Sequence, residues 1–548
     1  MGATEVLVVG AGPAGLTMAN VLERQGVSFR IIDTKGGPVE ESRALVVHAK
    51  TLELLDRLGL ADRAIELGQR MGAVRVFGEG KPAGEISFLD DGADDRTPYP
   101  FALVLEQDRT ERILIEGLEA TGGRVEWDTE LVSLTSAPDG ARATVRRPDG
   151  STESIEVGWV VGADGASSPV RHSLGLGFEG DTYEQALFLA DVEMEWEYGS
   201  RQVSIDMTRG GFYGFFPMPG EDRFRLIGNV PEELEGKEKI TAEDVQSVLD
   251  RRSGLKTRIT NVRWSSIYRT HRRMTERFRV GRVFLVGDAA HIHSPAGGQG
   301  MNTGIGDAYN LGWKLALVAR GLARESLLES YEAERMPFAR SILNGTDRGF
   351  SLQVTTATAA QRLKIYFTPL LFRIVSRIPS VRRRVFWLVS QLWTSYRDSP
   401  AVAQSGPTEK GPRAGDRAPY GFFATGQDAG LSIFDEVRGL DHHLLLFEGG
   451  GSDATSTDPA RSRKDLQTLI GAYEAPIRLH VVAPANRSLH ARYGVDSPTS
   501  ILIRPDGHIA FRGPVDEPDA LGSYLDGLFV GRTEQNLQAR GVERSIGA

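Results

Sequence analysis

No cysteine occurs anywhere in the 548 residues. That excludes disulfides, thiolate metal centres, iron–sulfur clusters and cysteine nucleophiles. Nor is there an uninterrupted apolar run of the length a spanning helix needs. The opening stretch, Met1-Gly2-Ala3-Thr4-Glu5, has no basic region and passes directly into an apolar run, unlike a signal peptide. Val6 breaks the myristoylation pattern. An excess of positive charge is also missing: 64 basic residues face 73 acidic ones, a formal charge of −9. Nucleic acid is therefore not the expected partner, and the expected location is cytoplasmic. What the chain does have is 63 glycines, 40% hydrophobic and 25% charged residues. This is the balance of a globular protein with many tight backbone approaches, long enough for two or three domains.

Two glycine-rich segments follow short apolar strands. Val6 to Val9 reads as a buried parallel strand. Gly10-Ala11-Gly12-Pro13-Ala14-Gly15 follows, then a helical pattern from Leu16 to Gln25, then a strand from Phe29 to Ile32 ending at Asp33. A G-x-G-x-x-G turn between strand and helix, with an acid about 20 residues on, is a dinucleotide-binding signature. Gly10 makes the turn, Gly12 admits a pyrophosphate, Gly15 lets helix pack on strand, and Asp33 takes the adenosine ribose. The second segment runs from Val283 to Leu315. A strand ends at Gly287-Asp288, a loop Ser294-Pro295-Ala296-Gly297-Gly298-Gln299-Gly300 follows, and helical spacing begins after Asn302. A carboxylate at a strand tip, a backbone open to a flat ring and a helix N-terminus together suit a flavin, with its ribitol on Asp288. The alternative for both segments is a ligand-free strand–turn–helix connection.

The remaining pattern divides the chain. Val157 to Val161 is a third apolar strand, ending at Asp164 in Gly162-Ala163-Asp164-Gly165. Pro138-Asp139-Gly140 and Pro148-Asp149-Gly150 mark turns of a meander. Alternating runs between 181 and 275 predict an antiparallel sheet that walls a substrate pocket. The expected division is thus 1–180, first part of the nucleotide-binding domain; 181–275, the substrate-binding sheet domain; 276–400, its second part with helices; and 415–548, a smaller C-terminal unit. Residues 400 to 418 read as a linker. Trp387, Phe386, Leu392 and Trp393 lie in a basic, apolar helical stretch from 362 to 397 that suits packing on a neighbour, or alternatively a membrane surface. The C-terminal order of strands and helices suits a thioredoxin-like sandwich, here without any cysteine for dithiol chemistry.

Taken together, GAGPAG at 10–15, GADGASSPVR at 162–171 and GDAAHIHSPAGGQGMNTGIGDAYNLGWKL at 287–315 resemble the class A flavoprotein monooxygenases. The branch in view holds the phenol, hydroxyphenylpropionate and aromatic polyketide hydroxylases. The resemblance implies an α/β fold: a Rossmann-like FAD-binding domain, an inserted antiparallel-sheet substrate domain, a helical segment and a thioredoxin-like C-terminal domain. It implies non-covalent FAD, reduced by NADPH or NADH. O2 then oxygenates a phenolic or polycyclic aromatic substrate through a flavin C4a-hydroperoxide. It assigns Gly10, Gly12, Gly15 and Asp33 to the ADP half of FAD, and Arg43 and Gln107 to pyrophosphate and ribitol. Asp164 serves FAD and NAD(P)H, Asp288 the ribitol, and Pro295, Gly298, Gly300, Met301 and Asn302 the ring.

His48 and Tyr213 are the candidates for a base that loosens a phenol proton, each with a packing role as the alternative. Arg43 also has a surface ion pair as its alternative. His291 and His293 lack a third ligand, so no metal is expected and they read as hydrogen-bonding neighbours of the flavin site. Two other functions use the same motifs: a flavin reductase or dehydrogenase that does not oxygenate, and a membrane-associated FAD electron carrier. A homodimer is possible on this reading.

Overall fold

The computed structural model describes residues 4–39, 44–87, 95–209, 211–231, 234, 236–237, 240–294, 296–354, 378–406, 410–425, 429–449 and 458–534. Arg43, Pro295 and the part of the 362–397 stretch before 378 lie outside the described residues.

The nucleotide-binding half is built on a six-stranded sheet in the order Arg279–Val280, Val283–Leu285, Trp159–Gly162, Val6–Val9, Phe29–Ile32, Val125–Glu126. All neighbours are parallel except the hairpin pair at the Arg279 edge. Every residue from Val6 to Val9 is buried, as expected of a strand covered on both faces. The three strands that carry the glycine motifs are adjacent. Their C-terminal tips, Val9, Gly162 and Leu285, therefore end at one edge, and the three loops that follow meet there.

The second sheet has eight strands and is wider than the 181–275 insert predicts. Its order is His291–Ile292, Thr257–Met274, Glu179–Trp196, Arg223–Asn229, Gly211–Pro217, Val203–Thr208, Ala73–Gly78, Lys81–Ser87. Two strands come from the first third of the chain, through a parallel pairing of Val203–Thr208 with Ala73–Gly78. The far edge is His291–Ile292, within the second glycine-rich segment. The sheet is thereby hydrogen-bonded to the loop that follows Asp288. One face packs Phe188, Tyr213, Phe215, Phe224 and Leu226 against the helix Ala242–Arg252. The opposite face, with Leu189, Val203, Ile205 and Ile227, is turned to a cavity.

The C-terminal sheet has the order Ala403–Gln404, Ile509–Pro514, Thr499–Ile503, His442–Phe447, Ile477–Val482. Ala403–Gln404, expected as linker, is its edge strand. Helices Pro459–Gly471, Arg487–Tyr493 and Pro518–Leu528 accompany it; the second was not expected from the sequence. Leu444, Leu446, Leu502, Phe511 and Leu525 belong to the same continuous apolar cluster as Val8, Leu16 and Leu311.

Candidate active site

A cavity of about 1410 Å³ runs from the first glycine motif to the inner face of the eight-stranded sheet. That exceeds the usual volume for one small ligand, roughly 300–1,000 Å³, and leaves room for two. At one end lie Gly10, Gly12, Asp33, Asp164 and Gln107. In the middle are Asp288, Gly298, Gly300 and Met301. At the other end are Val74, Ile205, Phe216, Ile227 and Tyr268.

The first motif folds as its spacing predicts. Gly10 has φ +103, and a Cβ there would lie 2.3 Å from the Ala163 carbonyl oxygen. A Cβ on Gly15 would fall 1.8 Å from the Gly10 oxygen, so this glycine serves packing and does not border the cavity. A Cβ on Gly12 meets nothing within 4 Å, so backbone here is open to a ligand. Gly12 is also the N-cap of the helix Pro13–Arg24, with no side chain capping its free N–H groups. Asp33 Oδ2 accepts from Ala11 N–H at 2.7 Å and Oδ1 from Lys35 N–H at 2.9 Å, which fixes the carboxylate at the cavity edge.

A second helix aims its N-terminus at the same cavity. Gln299–Ala319 is 21 residues long and starts from Gly298, again with no side-chain cap. Its free N–H groups and positive dipole end suit an anionic oxygen or ring nitrogen. Gly298 needs to be glycine: φ is +63 and a Cβ would lie 3.1 Å from Val46 Cβ. Gly300 has ordinary space, its nearest neighbour being His293 Cε1 at 3.8 Å. Two uncapped helix N-termini, an open glycine backbone and the carboxylates Asp33 and Asp288 fit a long dinucleotide with a flat ring at one end.

A family model described as FAD binding domain matches residues 3–346. The chain belongs to this FAD-binding family. Over 96% of its length it is 34% identical to the 6-methylpretetramide 4-monooxygenase of Streptomyces rimosus, covering 94% of that protein. It is 33% identical to the pentachlorophenol 4-monooxygenase of Sphingobium chlorophenolicum, with 96% of each chain covered. Among solved structures, the anhydrotetracycline hydroxylase of Streptomyces rimosus superposes with a TM-score of 0.70 at 28% identity, covering 96% of this chain and 99% of that one. A ternary complex of aklavinone-11 hydroxylase with FAD and aklavinone gives 0.74 at 26%, covering 95% and 98%. The protein is a flavin-dependent aromatic monooxygenase, and FAD is its cofactor.

The other expected residues of this flavoenzyme divide by what they touch. Gln107 Oε1 accepts from Ala44 N–H at 3.2 Å while its Nε2 donates to Glu111 at 3.0 Å. Asp164 accepts from Ser168 Oγ and from Val170 N–H, tying down the loop after the third strand. Burial pushes its carboxyl above the usual range. Asn302 does not border the cavity with its side chain. Its Oδ1 accepts from His48 N–H and Thr51 Oγ, and its Nδ2 donates to the Val46 and Gly298 carbonyls at 2.8 Å. It therefore locks the ring loop to the strand Val46–Val47.

The two candidate bases are not in equivalent places. His48 borders the cavity, and its Nε2 lies 2.8 Å from the Gly297 carbonyl oxygen. Burial lowers its pKa to about 4, so the ring is neutral. Because a carbonyl only accepts, Nε2 carries the hydrogen. Tyr213 is not at the cavity. It is 2% exposed and packs in the core on the far face of the sheet, 6.3 Å from Phe188. Sheet alternation puts positions 213 and 215 on that face and Phe216 on the cavity face.

Sequence reasoning missed the ionic support beneath the loop. Asp307 Oδ2 accepts from Gly287 N–H at 3.1 Å and from His291 Nε2 at 2.7 Å, and its Oδ1 pairs with Arg335 at 2.6 Å. All three side chains are buried. An acid about two turns into the helix that follows a glycine loop has no local signature; the repeat of Gly-Asp-Ala at 287–289 and 306–308 is the only hint. The helix Pro379–Val389 closes the cavity from outside with Val385 and Val389. Gln299 bonds to the Val389 carbonyl and to Gln391, so this part of the apolar stretch packs on the flavin loop. No described helix is long and apolar enough to cross a membrane, and no described cluster has the make-up of a metal site.

Proposed function

We propose that the enzyme uses NAD(P)H and O2 to hydroxylate a phenolic or polycyclic aromatic substrate bound against the eight-stranded sheet. The observation that carries this is the continuity of one cavity from Asp33 to the apolar sheet face, past the N-terminus of Gln299–Ala319. Bound FAD supplies the redox chemistry, taking hydride from NAD(P)H and activating O2. The residues of the chain supply position, charge and exclusion of water.

In this reading Gly12 and Asp33 hold the ADP half, Asp288 holds the ribitol, and the N–H groups at Gly300 and Met301 meet the negative edge of the ring. Arg43 and Pro295 are assigned by the family resemblance, as contacts to the pyrophosphate and the reactive edge. His48 acts as a positioning residue: its neutral ring donates to Gly297 and its N–H to Asn302, which supports a fixed loop rather than proton removal. Val203, Ile205, Phe216 and Ile227 give an aromatic substrate a dry wall. The boundaries 1–180, 181–275, 276–400 and 415–548 are kept as functional units, with the two segments of 73–87 added to the sheet. The C-terminal sheet, with antiparallel central strands, a parallel pair at each edge and flanking helices, supports a thioredoxin-like unit of structural role. A soluble, cytoplasmic enzyme, alone or as a homodimer, is consistent with this reading.

The test is a panel of phenols and polycyclic aromatics, scored by stimulated NAD(P)H oxidation and by a mass gain of one oxygen in the product. Stimulated oxidation with peroxide only, across the whole panel, would favour the non-oxygenating reductase instead.

A further inference from the structure

Away from the flavin cavity, a second pocket of about 430 Å³ lies where the nucleotide-binding half meets the C-terminal sheet. Five arginines border it, Arg24, Arg57, Arg320, Arg438 and Arg478, against the two carboxylates Asp441 and Glu474. In a chain of formal charge −9, this is a local excess of positive charge. Two of the five are neutralised: Arg438 pairs with Asp56 at 3.1 Å, and Arg478 with Asp441.

The other three form no ion pair among the described residues. Each is instead held by neutral acceptors. Arg57 is only 8% exposed, and its Nη1 donates to the Val437 carbonyl at 2.7 Å. Its Nη2 faces the 505–507 turn, where a Cβ on Gly507 would lie 3.1 Å away. Arg24 donates to Asn20 and to the Gly117 carbonyl. Arg320 donates to Gln25 Oε1 at 3.1 Å, and Gln25 is itself fixed by donating to the Leu440 carbonyl at 2.9 Å. Guanidiniums from three separate helix ends are thus oriented before any ligand arrives.

Each arginine also ends a helix, and a helix C-terminus carries roughly half a negative charge. That offsets part of the positive charge and leaves the rest. Like charges held together in a partly dry pocket are unfavourable unless an anion joins them. Planar guanidiniums with free N–H groups match the oxygens of phosphate.

We propose that this pocket binds a phosphate-class oxyanion, with Arg24, Arg57 and Arg320 as its ligands. The site is separate from the FAD cavity and joins the two parts of the molecule. An anion there would tie the ends of helices Pro13–Arg24 and Gln299–Ala319, both of which begin at the flavin site, to the C-terminal sheet.

The experiment is calorimetric titration of the FAD-loaded full chain with inorganic phosphate, pyrophosphate and adenosine 2′,5′-bisphosphate, at ionic strength matched with chloride. Saturable binding is expected, weakened about tenfold or more by Arg24→Gln and by Arg320→Gln, the loss of one charged hydrogen-bond donor. Arg320 is exposed, so its variant keeps the fold even where Arg57→Gln does not. Binding of inorganic phosphate or pyrophosphate at the nucleotide's affinity identifies a simple oxyanion site. Binding of the nucleotide alone, lost in both variants, identifies a nucleotide phosphate. No saturable binding, or binding that both variants retain at parent affinity, overturns the proposal and leaves the arginines as helix caps only.

Discussion

Arg504 and Glu334 form a two-pronged ion pair across the junction between the C-terminal sheet and the flavin half. Arg504 Nη1 donates to Glu334 Oε1 at 2.6 Å, and Nη2 to Oε2 at 2.8 Å. Lys314, on the helix that begins at the flavin loop, reaches the same Oε2 at 2.8 Å. None of the three side chains is more than 1% exposed. Burial alone would push the Glu334 carboxyl up, but the charges of Arg504 and Lys314 hold it well below the usual range. Burial pulls Lys314 down to about 8, against the opposing field of Glu334. The C-terminal unit is therefore fastened to the flavin helix by charges that need one another.

Removing the shared carboxylate should be severe. Glu334→Gln leaves Arg504 and Lys314 buried with too little negative charge, and breaking such a pair costs about 3–5 kcal/mol. Urea unfolding of the FAD-loaded protein should show that loss. Adding Lys314→Met to Glu334→Gln should restore part of it, since one uncompensated cation is then gone. Equal stability of the single variant and the parent would mean that the pair contributes nothing.

Asp288 offers a direct test of cofactor binding. Asp288→Ala should weaken FAD retention by about 1.5–3 kcal/mol, the range for hydrogen bonds to a charged group, or roughly 10- to 100-fold. Flavin fluorescence on dilution measures it. FAD affinity unchanged by the substitution would remove Asp288 from the site.

Acid should destabilise the fold through its buried imidazoles. Burial lowers His48 and His508 from 6.5 to about 4. Between those values the unfolded chain carries the proton and the folded one does not. The stabilising contribution is thus complete above about pH 6.5 and is lost as the pH falls towards 4. At about 1.4 kcal/mol per unit, each histidine accounts for roughly 2 kcal/mol between pH 7 and pH 5. Unfolding free energies of the parent and His508→Gln at these two pH values provide the check, with a smaller drop expected in the variant.

The parts of this fold that could be read from sequence are those where backbone geometry dictates the residue. Gly10 and Gly298 stand where a side chain would meet backbone or Val46, and Gly12 where one would enter the open cavity, and such demands leave glycines at fixed spacing beside strands. Asp33 and Asp288 were legible for the same reason, as acids at strand tips. Tyr213 was not, because alternation reveals two faces of a strand and not which one meets the cavity. The sheet strands at 73–87 were hidden by a parallel pairing across more than a hundred residues, set by tertiary packing. Lys314, Glu334 and Arg504 have no local pattern that marks them as buried, because their partners come from distant parts of the chain and meet only where the C-terminal sheet docks.

The loop at Gly298 ties these points to catalysis. The residue is the left-handed N-cap of Gln299–Ala319, and its carbonyl accepts from Asn302 Nδ2 at 2.8 Å. Gly298→Val would force a side chain against Val46 and into a φ that β-branched residues avoid. The loop would have to shift, while Gly10 to Asp33, at the other end of the cavity, would not. FAD should therefore stay bound through its ADP half. Oxygen transfer depends on a substrate and a ring edge aligned across this loop, and a displacement near 1 Å can lower a positioned reaction on the order of 10²-fold. Reduction of flavin and its reoxidation to peroxide have looser geometric demands. The variant should consume NAD(P)H, release hydrogen peroxide and form little hydroxylated product. Measuring all three in one assay decides it: a product yield per NAD(P)H equal to the parent's would show that residues 297–301 do not shape the oxygen-transfer site, even with FAD binding intact.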